Sequence, residues 1–352
     1  ELTDGVLGNN YPVPSRVLKN SEIILNHYLE SILYNGASLA DQTDIFPTEG
    51  GTAAIVYIFN SLRENKLIRP GDRIAINTPI FTPYLQIPEL ADYELVEVNL
   101  QSTEDNHWEL LPSELKKLAD TNLKAFFIVN PSNPGAKALT PSALNEIKKV
   151  LIKHPDLMII TDDVYGTFVE DFQTIYAVAP HNTLLVYSFS KLFGATGWRV
   201  GLIAAHKENV FDRLIRQLPN DEQRQLNQRY HFVVMEPEKL PFIERLVADS
   251  RSIGLYHTAG LSTPQQIMEV LFALTHLLAG KKDAYIDASR SIIQQRYEDL
   301  HNVLGISTDD TKGNSKYYSL INIYELAETR YGKAFRQYLA SHFEYIDFLV
   351  RL

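Results

Sequence analysis

Val186-Tyr-Ser-Phe-Ser-Lys-Leu-Phe-Gly-Ala-Thr-Gly-Trp-Arg-Val-Gly201 is the stretch on which the reading of this chain turns. The apolar run from Thr183 to Tyr187 predicts a strand. Ser188, Ser190 and Lys191 then fall in a turn, Gly194 and Gly197 break the chain twice, and Arg199 heads a second apolar run. A lone lysine in such a loop reads as a solvated side chain. This one sits among hydroxyls, glycines and an arginine at the mouth of a strand. Its amine is placed to hold a carbonyl cofactor as a Schiff base, while the hydroxyls and the guanidinium hold a phosphate.

Around that stretch, apolar runs alternate with helical patterns. Strands are expected at Arg73–Asn77, Glu94–Leu100, Lys124–Asn130, Leu157–Thr161, Thr183–Tyr187 and Val200–Ala205. Helices are expected at Ser15–Tyr34, from Gly50 to about Asn65, and at Pro112–Ala119, Ser142–His154, Pro264–Gly280 and Asp283–Leu304. Asn35–Thr48 reads as a loop, Tyr317–Tyr324 as a strand and Ala334–Phe343 as a helix. Phe211–Leu246 is polar and reads as a solvated helical insertion. The alternation predicts an α/β fold with a mostly parallel sheet covered on both faces, and ligands beyond the carboxyl ends of its strands.

Four further motifs stand at such ends. Gly50-Gly51-Thr52 opens a helix; glycines let backbone approach an anion and the N–H groups point at it, although alone this is an ordinary helix start. Asn77-Thr-Pro-Ile-Phe81-Thr-Pro-Tyr84 brings aromatic rings to a strand end. Asn130-Pro-Ser-Asn133-Pro-Gly135 is by itself turn chemistry. Thr161-Asp162-Asp163-Val-Tyr165 pairs two carboxylates, but no further carboxylate or histidine stands at metal-ligand spacing around them, so no metal is expected.

Ser188-x-Ser190-Lys191-x-x-Gly194-x-x-Gly197-x-Arg199-x-Gly201 resembles the cofactor-lysine motif of pyridoxal-phosphate (PLP) enzymes of the aspartate aminotransferase fold, and the other motifs follow in that family's order. The resemblance covers essentially the whole chain. It implies the fold type I architecture, a large domain with a mostly parallel sheet plus a smaller α/β domain, incomplete here. It gives catalytic roles to Lys191, Asp162 and Tyr165. Gly50, Gly51, Thr52, Ser188, Ser190 and Arg199 are to cradle the phosphate. Phe81 is to stack on the ring, Asp162 to pair with its nitrogen, and Asn133 and Tyr165 to meet its phenol oxygen. The family's Asn-Pro-x-Asn-Pro-Thr-Gly loop lacks its Thr here, since Gly135 follows Pro134 directly. Gly8 and Tyr11 resemble the substrate-side access loop. Tyr256 and His257 lie in a segment that passes the partner subunit's active site in the superfamily.

Thr161–Phe168, Tyr187–Gly201 and the insertion ending in Ala248–Ser262 are similar, more narrowly, to the bacterial aspartate 4-decarboxylases. That likeness implies conversion of L-aspartate to L-alanine and carbon dioxide, with aspartate aminotransferase side activity. Lys191 would move the Cα proton, the protonated ring would take the electrons, and the side-chain carboxylate would leave. A plain aminotransferase and a non-catalytic PLP-binding regulator are the alternatives. Such regulators carry a basic DNA-binding module, and nothing basic of that kind is found. The family's arginine for the substrate α-carboxylate lies in a segment after Leu352, and Arg351 is not in its context.

The bulk numbers fit a large core: 352 residues, 45% hydrophobic. A net charge of −10 draws the chain to neither nucleic acid nor anionic lipid. Without cysteine there is no disulfide framework, and a reducing cytoplasm is expected. No apolar run reaches the about 18 residues of a membrane span, and Glu1–Asn10 does not read as a signal peptide. The chain starts without Met and stops just after an apolar segment, so a fragment trimmed at both ends is expected. The expected organisation is an N-terminal small-domain segment with the access loop (1–45), a large PLP-binding domain (46–285, with the insertion at about 211–246), and a linker helix with a partial small domain (286–352). Its expected partners are an amino acid substrate and further copies of itself, as a homodimer or larger.

Overall fold

The structure is a computed structural model that describes residues 2–8, 11, 16–89, 93–253, 256–257, 260–280 and 282–342, apart from the side chains of 88, 252–253 and 256–257. Seven strands form its main sheet: β1 (Thr43–Thr48), β2 (Arg73–Thr78), β3 (Val96–Gln101), β4 (Leu123–Val129), β5 (Met158–Asp162), β6 (Thr183–Ser188) and β7 (Gly201–His206). Their order is β1-β7-β6-β5-β4-β2-β3. Only β7 runs against the rest, pairing antiparallel with both β1 and β6.

Central strands are apolar throughout because both faces are covered. Along β4, Ala125, Phe127 and Val129 enter one core with Ile55, Ile58, Phe59 and Leu62 of the Gly51–Glu64 helix. Phe126 and Ile128 point the other way, to Leu144 and Ile147 of the Pro141–Lys153 helix. Leu185 and Tyr187 of β6 pack with Leu25, Tyr28 and Leu29 of the Lys19–Leu33 helix. Alternation along a single strand thus divides the two layers of helix.

Six strands appear within a residue or two of the expected spans. β1 is a correction, since Asn35–Thr48 reads as loop. Pro47 disguises it, but β1 is an edge strand, where the missing N–H costs no ladder bond to a second neighbour. Tyr317–Tyr324 is a second correction. It forms no strand, and a helix starts instead at Ile323, with the Asn322 side chain accepting from the Glu325 N–H.

The insertion is helical, but its inner face is not solvated. Leu226 and Tyr230 are buried within Asn220–Tyr230, as are Phe242, Leu246 and Asp249 within Phe242–Arg251. Asp249 accepts hydrogen bonds from Ser61 Oγ (2.6 Å), Asn65 Nδ2 (3.2 Å), Tyr230 Oη (2.8 Å) and Arg229 Nη2 (3.0 Å). Burial pushes this carboxyl up, and the donors counter it. The insertion is thereby anchored to the far end of the Gly51–Glu64 helix. Asp249→Ala removes the shared acceptor, leaving Ser61 and Tyr230 without theirs beside a buried void while Arg229 keeps Glu64 and Asn65 keeps the Ser61 carbonyl, and is expected to cost roughly 3 kcal/mol in urea denaturation. Lys239→Ala breaks only the exposed pair with Glu236 and is expected to cause no measurable change.

Candidate active site

The carboxyl ends of the strands open on a cavity of about 150 Å³. Gly51, Thr52, Phe81, Asn133, Asp162, Tyr165, Ser188, Ser190, Lys191 and Arg199 all line it. Gly50 stands directly behind, at φ +90°, and a Cβ there would lie 2.9 Å from Arg199 Nη2. Gly201 admits the same close approach: its Cβ would meet the Tyr187 carbonyl at 2.8 Å and Gly50 Cα at 3.0 Å. Gly8 packs against Pro264 and Tyr11 is exposed; neither lines the cavity. The side chains of Tyr256 and His257, and Arg351, lie outside the described residues.

Arg199 is the first residue after a short turn and takes φ +54°. Its guanidinium is held by the carbonyls of Glu49 (3.3 Å) and Thr196 (3.2 Å), beside the start of the Gly51–Glu64 helix. Ser188 Oγ donates to Ser190 Oγ at 3.0 Å. A helix N-terminus, three hydroxyls and an arginine therefore face one end of the cavity, a donor set that suits a dianion.

Lys191 is positioned through its neighbours. Phe193 stacks on Phe272 (4.6 Å) and on Tyr285 (5.4 Å), and the Tyr285 hydroxyl donates to the Leu192 carbonyl at 3.1 Å. Two helices thus grip the turn from beneath.

Asp162 ends β5 and is buried. Tyr84 Oη donates to its Oδ2 at 2.9 Å, and the Val164 N–H to Oδ1 at 3.3 Å. Burial pushes its pKa up to about 6, against the pull of those donors and of Lys191. Burial raises the adjacent Asp163 further, to about 8, against the Thr161 hydroxyl. Phe81 lies edge-on to Tyr84 (5.3 Å) and is partly exposed over the cavity.

Tyr318 also lines the cavity, a residue beyond those the sequence motifs mark. Its hydroxyl lies 2.5 Å from that of Tyr165 and accepts from Asn133 Nδ2 at 3.2 Å. Backbone pairing delivers it: Ala138 N–H donates to the Gly313 carbonyl and Ser315 N–H to that of Ala136. Lys137 Nζ meets Asp309 at 2.5 Å across the same seam. Tyr317-Tyr318 is an aromatic pair with no local mark of a site, so only this tertiary contact reveals it. Tyr84, Val129, Val164 and Thr196 complete the lining.

A catalytic-type lysine, an acid at a strand end and an anion cradle on this fold define an aminotransferase-type enzyme. The chain belongs to the aminotransferase class I and II family, which matches residues 25–346. Across its full length it is 47% identical to a Pseudomonas protein named bifunctional aspartate aminotransferase and L-aspartate beta-decarboxylase, covering 66% of that protein, just under two thirds. An aromatic-amino-acid aminotransferase of Thermococcus litoralis is 33% identical over 52% of this chain and 46% of its own. Among solved structures, an aspartate aminotransferase mutant of Thermus thermophilus superposes with a TM-score of 0.65 at 17% identity, over 89% of this chain and 75% of its own, a likeness of fold. The family's cofactor is PLP, and the donors present fit it: an anion cradle, a flat aromatic, a buried acid and a lysine in one cavity.

The raised carboxyls set a pH dependence. A carboxyl whose folded pKa lies above its ordinary 3.8 favours folding while protonated and loses that contribution as pH rises. The chain without added cofactor is expected to lose thermal stability as pH rises from 4 through 6 and towards 8. Asp162→Asn removes one ionisation, so its melting temperature relative to the parent is expected to rise between pH 4 and pH 7. A gap that does not change with pH contradicts the assignment.

Proposed function

We propose that the chain is the PLP-binding part of an aspartate 4-decarboxylase that converts L-aspartate to L-alanine and carbon dioxide, with aspartate transamination as a side path. The observation that carries this reading is the convergence of Lys191, Asp162 and the Arg199 cradle on one cavity, in a chain so similar throughout to the Pseudomonas enzyme. The bound cofactor would supply an electron sink for charge developing beside the substrate's amine carbon.

The residues divide the work. Thr52, Ser188, Ser190, Arg199 and the N–H groups after Gly50 and Gly51 hold the phosphate. Phe81 covers one ring face, and Asp162 keeps the ring nitrogen protonated. Asn133 and Tyr165 hold the phenol oxygen. Lys191 would hold the cofactor's carbonyl, and its amine is the group placed to carry the proton at Cα. Decarboxylation balances simply: the bond from the β-carbon to the side-chain carboxylate breaks, carbon dioxide leaves, and a proton takes its place. Gly8 and Tyr11 are assigned to substrate access.

The likeness to the Thermococcus enzyme keeps one second reading, a plain aminotransferase. On either reading the segments 1–45, 46–285 and 286–352 serve as access segment, cofactor domain and partial small domain. The substrate is a small amino acid, and nucleic acid and membrane have no part. Among the described residues no helix is long and apolar enough to cross a membrane. A cytoplasmic homodimer or larger homo-oligomer is proposed on family likeness alone.

Mixing the chain with PLP is expected to give an absorbance band that Lys191→Ala abolishes. Adding L-aspartate is expected to yield alanine and carbon dioxide in equal amounts. Keto acid without carbon dioxide turns the assignment to plain aminotransferase, and a band that survives Lys191→Ala overturns it.

A further inference from the structure

Asn133, Tyr165 and Tyr318 form one hydrogen-bonded cluster on the cavity wall. Asn133 Nδ2 lies 3.2 Å from the Tyr318 hydroxyl and 3.4 Å from that of Tyr165, and the two hydroxyls are 2.5 Å apart. The Tyr318 ring meets that of Tyr165 edge-on at 5.2 Å, and Tyr317 packs on both. Burial raises both phenols above their ordinary range, so each keeps its single proton at neutral pH.

Proton counting then fixes the roles. Resting on the reading above, in which Tyr165 donates to the phenol oxygen of PLP, its one proton is committed to the cavity. The short contact between the two hydroxyls must then be bridged by the proton of Tyr318. Asn133 has two N–H groups and donates to the Tyr318 oxygen, which strengthens Tyr318 as a donor in turn.

We propose that Tyr318 is a positioning residue that aims and strengthens the Tyr165 hydroxyl, in a chain running from the Asn133 amide through Tyr318 and Tyr165 to the cofactor's phenol oxygen. Tyr318 touches the reaction only through Tyr165. Its effect falls on the proton shared between that phenol oxygen and the Lys191 nitrogen: a strong donor to the oxygen draws off negative charge and lets the nitrogen lose its proton at lower pH. On the cavity side, the charged or titratable groups facing the pair are Asp162, Lys191, Tyr84 and Tyr317, with Arg199 at the far end; on the outer sides of Tyr318 stand Arg296, Tyr297 and Lys316, and Lys137, His301 and Asp309. Y318F leaves every one of these side chains in place.

The test is the pH midpoint of the absorbance change of the PLP-loaded chain, measured in the parent, Y318F, Y165F and the double variant. Y318F keeps the ring and its packing. It is expected to raise the midpoint by about half a pH unit, Y165F to raise it further, and the double variant to match Y165F alone. PLP dissociation constants measured alongside are expected to be weakened less by Y318F than by Y165F. An unmoved or lowered midpoint in Y318F overturns the proposal. So does an equal rise in the Y165F background, which would mean that Tyr318 acts without Tyr165. If the parent forms no Lys191-dependent band, it is the cofactor reading that fails.

Discussion

A carboxyl group at the end of β5 sets the terms for the rest of the site. Asp162 ends a strand whose five residues are all buried, and its ionisation is opposed by burial alone. What makes it tolerable is local: a phenol from the β2 side, a backbone N–H and the ammonium of Lys191. Each comes from a different strand end, so the parallel register that aligns β2, β4, β5 and β6 also assembles the partners of the acid. A charge buried here is costly for stability and useful to a bound ring, the usual tension at a functional centre.

The helix that begins at Gly51 shows how distant parts support the cavity. Its first turn faces the cavity, while its far end carries Ser61 and Asn65 into the Asp249 network. The insertion is thus a buttress for the Arg199 end of the cavity, gripping the same rigid element some fourteen residues away. Aromatic stacking does the equivalent for Lys191 through Phe193.

Sequence reading succeeded where chemistry is local. Lysine, serines, glycines and arginine within sixteen residues impose their own turn, and Asp162 closes a strand whose apolar run is unmistakable. It failed where the deciding fact is tertiary. Pro47 reads as a breaker until β1 is known to lie at an edge. The polarity of Asn220–Tyr230 hides a single buried stripe, Leu226 and Tyr230, which the core packing and the Tyr230 bond to Asp249 explain. Nothing in Tyr317-Tyr318 distinguishes a core pair from a cavity wall, because its partner Tyr165 is 153 positions away.

Arg199 carries a final implication in its backbone. An arginine at φ +54° sits in a region that an L side chain enters at a cost of roughly 1–2 kcal/mol and glycine enters freely. Judged by conformation alone, this position favours the smallest residue. The guanidinium is thus kept against the preference of its own main chain, held in place by two carbonyls. Strain of this kind, held in place by the surrounding structure, is what pre-organised sites carry, and a glycine at this position would relax the turn while losing the guanidinium.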